Sequence, residues 1–348
     1  MINKEVIEPI INFQKIRYVK LSELLDDKGF KIRRRFNVFI NMETILDYFY
    51  KEDIIAAMNS LKSRENIILV PEFLNLIAHY RHYFATRYQA KSRFFIYHIN
   101  KGVTRAKHNY MSKILNKYSK DNIHTGMMNE IFRSNINMIS NICKYIPKVY
   151  FIQSDGLEPS IIPYYIIDKY SKEKDYNIII SRDYYDYQLT NFNNSFMLTA
   201  AGNRSKIYNN HDAINKKVRN SHEEYGLTAW HIPFIIALIG DKDRNIERVD
   251  KITPKKACKL IGSISKNNRY EHSSLQYEIN KLIDTKDLFN YNLRITSLDY
   301  QNKNINKIDE ELICKDLVDM YDINALIELN SVYFTNNNIH LEELFEGV

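Results

Sequence analysis

Asp183 and Asp186 stand directly behind the apolar run Ile178-Ile179-Ile180, inside the stretch Ser-Arg-Asp-Tyr-Tyr-Asp-Tyr-Gln-Leu that spans 181–189. A β-run that ends in carboxylates is how a parallel sheet brings acidic groups to one rim. Hard divalent cations such as Mg²⁺ take oxygen ligands of that kind. Glu158 follows a second apolar run, Val149–Gln153. Asp241 and Asp243 lie in Gly240-Asp241-Lys242-Asp243-Arg244-Asn245-Ile246, ahead of a Pro254-started helical pattern that carries Lys255, Lys256 and Lys259. Carboxylates brought together from several strand ends would suit such a cation. A turn with exposed N–H groups and nearby lysines suits a duplex phosphate; an ordinary acidic loop before a proline-started helix is the plainer alternative.

Other constellations carry less. His79 and His82 have helical spacing but no acidic or thiol partner near in sequence, and His222-Glu223-Glu224 reads as an exposed helical face. Cys143, Cys258 and Cys314 are widely separated, which points away from a zinc site or a disulfide framework and towards a reducing compartment. No nucleophile elbow, P-loop or dinucleotide fingerprint occurs.

The elements that must position these groups alternate. Phe36–Ile40 reads as a buried strand and Thr44–Leu61 as a helix; a second helix covers roughly 71–90, with Tyr80, Tyr83, Phe84 and Tyr88 as a core stripe. Strand Phe94–Ile99 leads to a basic segment, 101–120, with Lys101, Arg105 and Lys107. Helix 125–146, strand Val149–Gln153, helix 159–172, strand Asn177–Ile180 and a strand near Phe196–Ala200 follow. This order predicts an α/β fold, a mostly parallel central sheet flanked by helices, with a helical C-terminal region. The expected organisation is a basic N-terminal extension (1–35), an α/β core (36–225), a helical region (226–290) and a C-terminal extension (291–348).

The chain has 348 residues, enough for a sizeable core, and 49 Lys+Arg against 42 Asp+Glu give a net charge of +7. That modest excess favours a polyanionic partner without naming one. No run of 18 apolar residues and no usable signal-peptide segment is present, so a cytoplasmic location (host cytoplasm for a virus) and no membrane partner are expected. With 26 tyrosines against 9 glycines, the composition is what AT-rich codons produce, as in some bacterial, viral or phage genomes.

The motifs together resemble those of the 5′-nuclease superfamily, the flap endonucleases and phage 5′–3′ exonucleases. Gly240–Ile246 with Val249 is similar to the family's G-D-x-x-D-N-I-x-x-V, and Ile252-Thr253-Pro254-Lys255 stands where Gly-Ile-Gly-Pro-Lys is usual, without either glycine. Gly156-Leu157-Glu158-Pro159-Ser160-Ile161-Ile162 stands where the family has G-x-E-A-D-D-x-I. The stretch 181–189 resembles S-x-D-x-D-x-x-Q-L. Phe39-Ile40-Asn41-Met42-Glu43 and Ile99-Asn100-Lys101-Gly102 occupy the first- and second-strand positions. The likeness runs in order from about residue 36 to 262.

The resemblance implies a PIN-like sheet, a helix–three-turn–helix that holds duplex DNA through Lys255, Lys256 and Lys259, and a two-metal site. Of that site Glu158, Asp183 and Asp241 remain, whereas Asn41, Asn100, Ser160, Ile161, Tyr185 and Arg244 replace acids. Asp186 lies one residue beyond the lost partner at Tyr185, and one step along a strand or tight turn points a side chain elsewhere, so it is expected to be a poor substitute. The reading that follows is a catalytically degenerate, DNA-binding relative with no cofactor, or at most weak Mg²⁺ at Glu158, Asp183 and Asp241. It would serve as a viral or phage replication or transcription accessory. The alternatives are an active, divergent metal-dependent 5′–3′ exonuclease or flap endonuclease, and a protein-interaction scaffold. Near the C-terminus Leu341, Leu344 and Phe345 lie at helical spacing among acids. That segment suits either a terminal helix packed on its own domain or a tail that docks on a sliding clamp or polymerase.

Overall fold

The computed structural model describes residue 25 and residues 28–45, 70–99, 135–154, 158–199, 206–249, 252–265 and 272–305, with positions 310, 311, 313, 314 and 317. Six strands form one sheet: β1 (Phe36–Asn41), β2 (Ser92–Ile99), β3 (Val149–Ser154), β4 (Tyr176–Ile180), β5 (Ser195–Thr199) and β6 (Lys206–Tyr208). Their order is β3-β2-β1-β4-β5-β6; every pairing is parallel except the antiparallel edge between β5 and β6. The expected α/β architecture is therefore the observed one. β1 and β4 are buried at every position, which is why they read as continuous apolar runs with no alternation.

Two apolar clusters cover the two faces. On one side α2 (Val70–Tyr88) and the helical stretch 135–143 pack Phe73, Ile77, Phe84, Ile139 and Ile142 against Val38, Phe94 and Ile178. The stripe read as core is core: Tyr80, Phe84 and Tyr88 are buried and Tyr83 partly so. On the other side α3 (Ile161–Tyr170) and the C-terminal helices bury Ile162, Ile166, Phe234, Ile235 and Phe289 against Phe39, Phe95 and Ile179. These helices are α4 (Asn210–Ala213), α5 (Ser221–Tyr225), α6 (Ile232–Ile239), α7 (Pro254–Ser265), α8 (His272–Leu282), α9 (Lys286–Thr296) and α10 (Leu298–Lys303). The boundary expected at residue 290 falls inside α9.

At the rim where β1 and β4 begin, Asn37 donates to Asn177 (2.9 Å), Asn177 to Ser195 (3.1 Å), and Arg93 to Asn37 (2.9 Å). This buried polar chain crosses β2, β1, β4 and β5 and fixes their register, because a slip would strand each amide without a partner. At the opposite rim the chain steps from β1 outward to β2 and β3, then returns to place β4 on the other flank of β1. Such a switch point opens a crevice at the carboxyl ends of the strands. The candidate site lies there.

Candidate functional site

Asn41 is the last residue of β1 and is buried. Its carbonyl oxygen accepts from the backbone N–H groups of Glu43 (3.0 Å) and Thr44 (3.3 Å), so it caps α1 (Met42–Ile45). Thr44 in turn accepts from the N–H of Arg182 (2.9 Å) and ties β1 to the bend behind β4. Within that bend Ser181 Oγ accepts from the Asp183 N–H (2.9 Å), and Asp183 Oδ1 accepts from the Tyr185 N–H (3.0 Å). These contacts set Asp183 at the rim before the chain winds into a 3-10 helix, Tyr185–Asn191.

Asp186 lies in the first turn of that helix. Asp186 returns under the rim, fully buried, where its Oδ2 accepts from Ser181 Oγ (2.5 Å), Tyr97 Oη (2.8 Å) and Asn41 Nδ2 (3.4 Å). Burial, with Asp183 adding to it, pushes the Asp186 carboxyl up to about 6, partly offset by hydrogen bonds from Ser181, Ser160 and Tyr97. Burial first, and then Asp186, holds the Tyr97 hydroxyl well above its ordinary value.

Above this layer sits Arg244. Gly240, at φ +73°, ends α6 and opens a tight loop closed by reciprocal backbone bonds, Asp241 N–H to Ile246 O (2.9 Å) and Ile246 N–H to Asp241 O (2.8 Å). The loop aims Arg244 back at the strand ends. Nη1 lies 2.9 Å from Glu158 Oε2, and Nη2 lies 2.7 and 2.8 Å from the two Asp183 oxygens. The guanidinium carbon is 3.4 Å from the centre of the Tyr185 ring. All three charged side chains are largely buried, at 13–15% exposure. Burial alone would lower the arginine's basicity, but Asp183 and Glu158 outweigh it and hold the group charged. Burial also raises the Tyr185 hydroxyl, an effect that Arg244 opposes.

Among the described residues, the positions read as lost acids are packed. Ser160 is fully buried, Ile161 begins α3 inside the apolar cluster, and Tyr185 is the floor under the guanidinium. A divalent cation and this guanidinium cannot hold Glu158 and Asp183 together, so the arrangement as it stands does not fit a pre-formed two-ion centre. Sequence reasoning placed Arg244 among the acids as an intruding charge but missed its ion pairs. It also missed Tyr97 and Ser181 as partners of Asp186. The signal available was a single cation in a cluster otherwise made of carboxylates.

Lys255, Lys256 and Lys259 are exposed on the outer face of α7, opposite Ala257, Cys258 and Ile261, which are buried. Thr253 lies at the helix start; its hydroxyl accepts from the Lys256 N–H (3.3 Å) and its carbonyl from the Ala257 N–H (2.9 Å). Asn100, Lys101, Arg105 and Lys107 lie outside the described residues, as do Leu341, Leu344 and Phe345. Among the described residues no helix is long and apolar enough to cross a membrane.

Solved structures share this fold. A zinc-bound 5′-exonuclease of bacteriophage T5 aligns over 81% of this chain and 98% of its own, with a TM-score of 0.51 at 15% identity. The T5 flap endonuclease in a pseudo-enzyme–product complex with DNA and metal ions aligns over 81% and 98%, with a TM-score of 0.52 at 16% identity. The chain has the 5′-nuclease fold. Within that fold the switch-point crevice and the loop of Arg244 fall in the order that the motifs anticipated. No protein-family model matches the sequence, and no curated protein matches it.

Proposed function

We propose that this chain is a 5′-nuclease-like protein that binds DNA without cleaving it. The observation that carries the reading is the Arg244 guanidinium seated on Glu158 and Asp183 and stacked on Tyr185. An arginine supplies the positive charge that divalent ions bring to such a rim, but it activates no water. The DNA side rests on the fold, on exposed Lys255, Lys256 and Lys259, and on the excess of basic residues. The substrate class is a duplex or a duplex/single-strand junction, held through phosphates with no sequence readout. The role that fits is an accessory one in replication or transcription, with the AT-rich composition pointing to a viral or phage setting. A 5′-flap substrate incubated with Mg²⁺ or Mn²⁺ should stay intact while a parallel titration shows salt-sensitive binding. Metal-dependent cleavage abolished by Asp183→Ala would overturn the reading.

A further inference from the structure

A second cavity lies apart from the strand-end rim, between α3, the 3-10 helix and the C-terminal helices, with a volume of about 490 Å³. Pockets that hold small ligands begin at a few hundred cubic ångströms. One wall is aromatic. Trp230, the only tryptophan in the chain, is held by Phe234 (5.5 Å, tilted) and by the edge of His272 (4.4 Å), and Tyr164 also lines the space.

The other wall is polar and pre-set. The Asp299 carboxylate accepts from Tyr164 Oη (3.3 Å) and Lys303 Nζ (2.8 Å), and lies 3.6 Å from His272 Nδ1. Burial lowers the basicity of His272, so its ring is neutral near pH 7. With its proton on the Nδ1 that faces Asp299, the ring would offer Nε2 as an acceptor. Asn191 gives its oxygen to Asn210 (3.2 Å), which leaves its amide nitrogen as a donor. Lys303, 69% exposed, stands at the mouth.

From these observations we infer that the cavity binds a single nucleobase, stacked on Trp230 and read at its edge by His272 and Asn191, with Lys303 towards the attached phosphate. A flat ring with a donor–acceptor edge uses both walls, whereas a plain aromatic side chain leaves His272 and Asn191 unmet. The base belongs either to a free nucleotide or to an unpaired end of a bound strand; the second source rests on the DNA-binding reading above.

Because Trp230 is the lone tryptophan, its fluorescence reports on this cavity alone. The full chain is titrated with adenosine monophosphate, with a short single-stranded oligonucleotide, with ribose 5-phosphate and with phenylalaninamide. Saturable quenching by the mononucleotide supports the free-nucleotide source, and quenching by the oligonucleotide alone supports the strand end. In either case His272→Ala and Asn191→Ala, shown to melt like the parent, should weaken binding about tenfold, the scale of one lost stacking or edge contact. The inference is overturned by absent saturation with both base-containing ligands, by equal quenching with phenylalaninamide or ribose 5-phosphate, or by well-folded variants that bind unchanged. DNA binding through Lys255, Lys256 and Lys259 is followed separately by anisotropy, so failure of the pocket and failure of the DNA reading give different results.

Discussion

Arg244 is the residue on which the rim depends. With it in place, one guanidinium bridges Glu158 and Asp183 and offsets one of their two negative charges; without it, two nearby carboxylates face each other in a largely buried setting. Arg244→Ala should destabilise the protein by about 3 kcal/mol, the usual penalty for orphaning a buried charge pair. Millimolar Mg²⁺ should then raise the melting temperature of the variant and leave the parent unmoved. A parent that gains several degrees with Mg²⁺ would show that the guanidinium yields to the ion. Asp186 makes a second, independent prediction. Its carboxyl is raised to about 6 in the folded chain, against about 3.9 unfolded. A raised carboxyl favours the native state while protonated, so its contribution is full below about pH 4 and is lost as pH rises through about 6. Asp186→Asn removes that drift. The stability of the parent relative to the variant should therefore fall by about 2 kcal/mol between pH 4 and 7, measured by urea unfolding; a flat difference would mean that Asp186 titrates normally.

At the scale of elements, the loop between α6 and α7 decides where Arg244 points. Its first residue, Gly240, has positive φ, and a Cβ there would meet Ile246 O at 2.6 Å and Arg248 N at 2.8 Å, both backbone atoms. Gly240→Ala should cost at least about 2 kcal/mol, from the combined strain and clash. The loss should be local in origin: amide exchange at Asp241 and Ile246, the two ends of the loop's closing bridge, should accelerate more than at β1 or β4. Uniform acceleration, or none, would show that the loop does not depend on glycine. The 3-10 helix after β4 is the other deciding element, since it carries Asp186 back under the strand ends to Ser181, Tyr97 and Asn41.

At the scale of the whole molecule, the rim and α7 present different charges. At the rim one arginine offsets part of the charge of Glu158 and Asp183, whereas Lys255, Lys256 and Lys259 face outward. Binding should therefore follow counterion release from α7. Replacing all three lysines by alanine should lower the slope of log affinity against log salt by up to about 3, since each lost duplex phosphate contact is worth about 0.9. Fluorescence anisotropy at several salt concentrations measures this, and an unchanged slope would remove α7 from the binding surface.

The sequence by itself determined the sheet and its rim. The runs Phe36–Ile40, Asn177–Ile180 and Val149–Gln153 have no alternative to burial in a parallel sheet, and the chain order of Asn41, Glu158, Asp183 and Asp241 carries the 5′-nuclease pattern. Local chemistry is enough for that, because periodicity and strand-end acids depend on neighbours in sequence. Tertiary structure alone decided what the altered positions do. Arg244 meets Glu158 and Asp183 across long stretches of chain, through a loop whose aim is set by one glycine. Asp186 finds Asn41 and Tyr97 only because the strand gives way to a 3-10 helix. The cavity at Trp230 is likewise assembled from separate helices. Pairings between distant segments follow from packing of the whole core, which no single stretch of sequence encodes.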